Sequence, residues 1–76
     1  MSDTRQKVET AIRKVLGDVP LTDQTTAADV PDWDSLRHIL IIAEIEESCG
    51  ITFRSEEMEA PRCVGDLIAL VERKTA

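Results

Sequence analysis

Asp34-Ser35-Leu36 is the stretch in this chain best placed to do chemistry. Asp34 is a favoured helix N-cap, since its carboxylate can accept from the free N–H groups of a first turn. Ser35 then falls at the first helical position, and Leu36 opens an apolar pattern that runs through Ile39, Leu40, Ile41, Ile42 and Ile45. A serine so placed holds its hydroxyl in water at the positive end of a helix dipole, where an added anion is well tolerated. The expected chemistry is attachment of a phosphate-linked group to Ser35.

Other constellations are weaker. Asp34, Ser35 and His38 lie within one turn and invite a Ser-His-Asp hydrolase, but the sequence around them offers no strained elbow and no oxyanion donor pair. Cys49 and Cys63 lack metal-type spacing, and with a single histidine a zinc site is short of ligands. Small-hydrophobe packing is the expected role of both thiols. A calcium loop started at Asp32 would need glycine at Arg37 and glutamate at Ala43, so that template fails. No metal is expected, and no glycine-rich phosphate cradle is present.

These residues must be positioned by a small scaffold. Seventy-six residues allow one domain, 1–76, with one core, and a chain this size buries only about 60% of its unfolded surface. A deep, water-excluding catalytic pocket is hard to fit, which counts against an enzyme. The apolar share of 42% indicates a folded chain, and with Trp33 and Phe53 the sole aromatics the core must be aliphatic. Residues 29–60 hold nine acids against Arg37 and Arg54, while residues 1–28 balance and the remainder is slightly basic. Such an acidic middle repels nucleic acid and steers basic surfaces towards it. With no apolar leader and no membrane-length run, a cytoplasmic monomer away from membranes is the expectation.

Taken in order, residues 4–16 predict a helix, with Val8, Ala11, Ile12, Val15 and Leu16 on one stripe and Gly17 ending it. Residues 17–33, punctuated by Pro20 and Pro31, predict a long loop. The second helix runs from about Ser35 to Ser48, stopped by Gly50. Leu36, Ile39, Leu40, Ala43 and Glu47 mark one line, widened by Ile41, Ile42, Ile45 and Cys49. That face is broader than a core requires, so part of Ile39–Ile42 is expected near the surface or along a cleft, unless all of it fills the core. Ile51-Thr52-Phe53 should pin the next loop. Ser55 is a candidate cap for a short third helix that Pro61 limits, with Glu56 and Glu57 in its first turn. A final helix covers roughly 63–74. The fold class is therefore all-α: a small four-helix up-and-down bundle, three main helices and one short one, with a long first loop.

Trp33-Asp34-Ser35-Leu36, the run Ile45-Glu46-Glu47 to Cys49-Gly50-Ile51, and Val64-Gly65-Asp66-Leu67-Ile68-Ala69-Leu70-Val71-Glu72 together resemble the acyl carrier and peptidyl carrier proteins. The resemblance spans nearly the whole chain and implies an acyl-carrier-like bundle. It implies that Ser35, flanked by Asp34 and Leu36, carries 4′-phosphopantetheine taken from coenzyme A by a phosphopantetheinyl transferase. It also implies that acyl or aminoacyl groups ride on that arm as thioesters, without catalysis by the carrier. Loading and processing enzymes with basic docking surfaces would be the partners. Trp33, Arg37, His38, Ile39, Glu44, Glu56 and Glu57 are the implied docking candidates, although Trp33 could equally close the top of the bundle by packing. Asp32 stands where many fatty-acid carriers have glycine, and Leu40 where an acid is common. In these features the chain looks more like discrete carriers of polyketide, nonribosomal peptide or related pathways. The alternative is an unmodified acidic helical module that binds a basic partner.

Overall fold

The computed structural model describes residues 3–75; Met1, Ser2 and Ala76 lie outside the described residues. Four α-helices and one 3-10 turn make up the regular structure, with no strand among the described residues. Helix α1 (Asp3–Leu16) buries Val8, Ala11 and Ile12 and turns its charged residues outward. It ends where expected, at Gly17, whose φ of 91° is the left-handed conformation that glycine adopts without a Cβ penalty.

The first connection is long but well tied. A 3-10 turn at Ala27–Asp29, which hydrophobic spacing did not reveal, is held by Asp29 Oδ2 accepting from the Thr26 N–H at 3.0 Å. Further back, the loop supplies backbone acceptors to the last helix, α4 (Val64–Thr75). Val64 N–H donates to Thr25 O at 2.9 Å and Gly65 N–H to Asp23 O at 2.8 Å. Two N–H groups that a helix start leaves without partners are satisfied in this way. Gly65 is what permits the approach, because a Cβ there would stand 2.9 Å from the Asp23 carbonyl oxygen. Arg5 of α1 ion-pairs with Asp23 and fastens the same loop from the other side.

Helix α2 (Ser35–Cys49) starts on Asp34 and stops at Gly50, whose φ is 67°. Its apolar residues divide cleanly. Ile41, Ile42 and Ile45 are buried, whereas Leu36, Ile39 and Leu40 are 65%, 56% and 47% exposed. The core line is thus the set that the sequence pattern placed second, and the first line faces out. A 3.6-residue period allows either face of so apolar a helix to turn inward; packing against α1 decides it.

Helix α3 (Ser55–Glu59) corrects the expected cap. Ser55 is its first helical residue, and the start is fixed by Glu57 Oε1 accepting from the Arg54 N–H at 2.8 Å. The acid three residues into the helix reaches back, so a serine acceptor is not needed. Phe53 is buried just before it, with its N–H on Glu46 Oε2 at 2.8 Å, so the pinning expected of residues 51–53 falls mainly to Phe53. Helix α4 contributes Val64, Leu67, Ile68, Leu70 and Val71 to the one core, where they meet α1 and α2 residues around Trp33 and Phe53. No buried side-chain nitrogen or oxygen among the described residues lacks a partner.

Candidate functional site at the start of the second helix

Asp34 is the residue that positions Ser35. In extended conformation, it accepts the Arg37 N–H through Oδ1 at 2.9 Å and the Arg37 guanidinium through Oδ2 at 3.0 Å. Its carbonyl accepts the His38 N–H at 2.9 Å, the first bond of the helix. The N–H groups of Ser35 and Leu36 have no intrahelical acceptor, as helix geometry requires. Ser35 and Leu36 are both exposed. An exposed hydroxyl beside two N–H groups without an intrahelical acceptor is a local environment that tolerates an added phosphodiester.

The backbone N–H of Arg37, and after it the Arg37 charge, hold the Asp34 carboxyl below the usual carboxylate value. A carboxyl lowered in the folded state adds stability above the unfolded-chain carboxylate range and loses it as pH falls through the lowered folded value. Glu57, held down by Lys74 and the Arg54 N–H, and Asp23, held down by Arg5, share that sign. Asp34→Asn keeps a capping oxygen but removes the charge. Thermal melts should therefore show the wild type more stable near neutrality, with the difference closing in acid below about pH 4. A difference independent of pH would show that the charge contributes nothing.

An open groove of about 620 Å³ adjoins Ser35. Trp33, Ser35, His38 and Ile39 line one side, and Ser55, Met58 and Glu59 of the α3 region the other. Trp33 is 9% exposed, so it closes the bundle by packing. His38 is half-buried and committed at both ring nitrogens. Trp33 Nε1–H donates to Nδ1 at 3.2 Å, and Nε2 lies 2.6 Å from the Met58 carbonyl oxygen. With Asp34 taken up by Arg37 and His38 by Trp33 and Met58, the three residues of the Ser-His-Asp idea are close in space but not wired together.

Of the other residues singled out, Glu44 pairs with Lys14 of α1 at 3.0 Å and Glu57 with Lys74 of α4 at 2.8 Å. Both acids tie helices together, while Glu56 is exposed and forms no ion pair among the described residues. Sequence reasoning did not single out Met58, Ser55 and Glu59 as groove residues. A five-residue helix has too little periodicity to declare a face. Cys49 and Cys63 are free and half-buried. Among the described residues no group of His, Cys, Asp and Glu is placed to hold a metal, and no helix is long and apolar enough to cross a membrane.

No family model matches the chain, and comparison with curated proteins finds no match.

Proposed function

We propose that the chain is a carrier whose Ser35 holds 4′-phosphopantetheine and presents acyl or aminoacyl thioesters to partner enzymes. The observation that carries this is the exposed Ser35 hydroxyl on the first turn of α2, next to exposed Leu36 and behind a satisfied Asp34 cap. The resemblance of Trp33-Asp34-Ser35-Leu36 to the carrier motif, within a short all-helical chain, adds to it. Attachment asks nothing catalytic of the protein: a transferase activates the hydroxyl, which attacks the pyrophosphate of coenzyme A and releases 3′,5′-adenosine bisphosphate. The groove between α2 and α3 gives the arm or a short cargo a place to lie. In this account the helices run up and down with the long first loop crossing the bundle, and the chain works as a soluble monomer in the cytoplasm. Tethering the cargo raises its effective concentration at each enzyme that the arm can reach.

Leu36, Ile39 and Leu40 form an exposed apolar stripe on α2, rimmed by Arg37 and Glu47. Docking rests on that stripe, with the acidic groups of residues 29–60 steering basic partners towards it. Incubation with coenzyme A and a promiscuous phosphopantetheinyl transferase should add the mass of one arm, and Ser35→Ala should abolish the gain. A wild-type mass that stays unchanged with several transferases contradicts the proposal and leaves the unmodified interaction module.

A further inference from the structure

The three-residue chain Trp33–His38–Met58 does more than fill space. Indole nitrogen can only donate, so His38 Nδ1, 3.2 Å from Trp33 Nε1, must be the unprotonated acceptor. The ring proton then sits on Nε2 and is donated to the Met58 carbonyl 2.6 Å away. The tautomer is fixed from both sides, and the imidazole lies beside the indole edge, with centroids 6.1 Å apart and planes 29° apart. One neutral ring thereby joins the segment leading into Ser35, the first turn of α2, and α3 across the groove.

The geometry points to His38 as a proton-operated latch on the groove beside Ser35. A second proton can bind only at Nδ1, where it would set one N–H against another, so the Trp33 bond must break. The bond to the Met58 carbonyl survives and strengthens, because the donor is now charged. Protonation therefore releases the Trp33 side of the latch and keeps the α3 side. Histidine is the side chain whose charge changes nearest neutrality. The other titratable or charged groups lining the two clefts that His38 shares are Asp34 from the loop before α2, Glu59 from α3, and Arg62 and Cys63 from the segment before α4. Asp34 is engaged with Arg37. An indole shift that survives Glu59→Gln and Cys63→Ser therefore belongs to His38. The latch stands whether or not Ser35 is modified. Only its consequence, that acid loosens the wall beside the arm, rests on the carrier proposal.

Trp33 is the chain's single tryptophan, so one indole N–H signal reports the contact. In nitrogen-15 spectra of the bare chain, His38 should show the Nε2–H tautomer at about pH 8. As pH falls to about 5, the indole signal should shift with the same midpoint as the imidazole. The shift should be lost in His38→Gln and retained in Glu59→Gln. The opposite tautomer overturns the latch, and so does a ring that charges while the indole signal stays still. A ring that remains neutral until the chain unfolds, or an indole shift that persists in His38→Gln, overturns it as well. None of these readings depends on attachment at Ser35, so failure of the carrier proposal would be seen separately.

Discussion

Ile45→Ala should leave a chain that is only marginally folded at room temperature. Ile45 is fully buried in the core of α2, and truncating such a side chain costs about 2–5 kcal/mol, part transfer energy and part unfilled cavity. A chain of this length has a total stability of roughly 4–11 kcal/mol, so one substitution removes a large fraction of it. Leu40→Ala removes a side chain of the same size from the same helix. Leu40 is nearly half exposed, and its truncation should stay within about 0.5 kcal/mol, the usual range for surface sites. Urea unfolding of the two variants checks the division of α2 directly. Equal losses would mean that the buried and exposed lines are misassigned.

The second large effect is expected at the exposed line. Ala substitutions at Leu36 and Ile39 should each lower transferase kcat/KM about 5- to 30-fold, corresponding to roughly 1–2 kcal/mol for apolar anchors at the centre of an interface. Melting temperature should barely change. Lys7→Ala, on the exposed side of α1, should alter neither quantity and serves as the control. Glu44 and Glu57 are expected to act differently. Their carboxylates are already engaged by Lys14 and Lys74, so their removal should loosen the bundle as well as weaken steering. Loading rates indifferent to both Leu36 and Ile39 would remove the stripe from the docking surface.

How far these features could be read beforehand depended on the range of the interactions involved. Helix ends set by local chemistry were legible: Gly17 and Gly50 stop their helices, and Asp34 starts α2, because each acts within a few residues. The orientation of α2 was not legible. Leu36, Ile39, Leu40, Ile41, Ile42 and Ile45 cover too much of its circumference for periodicity to choose a side, and contact with α1 chooses it. The long loop gave no sign that its carbonyls at Asp23 and Thr25 cap α4, since that pairing joins residues some forty apart through backbone atoms common to every residue. Ser55 was misplaced for a related reason. A serine before two glutamates fits a cap, but Glu57 satisfies the Arg54 N–H itself. The first-turn position of Ser35 behind the Asp34 cap was legible from residue order. The His38 connections to Trp33 and Met58 were not, because they require the third dimension.

Whether the Ser35 oxygen carries an arm is read from the intact mass of protein purified from its native host. The native protein should be heavier than the bare polypeptide by one phosphopantetheine arm, with or without cargo, and fragmentation should place the added mass on Ser35. A fully active native preparation whose mass is that of the unmodified chain would contradict it.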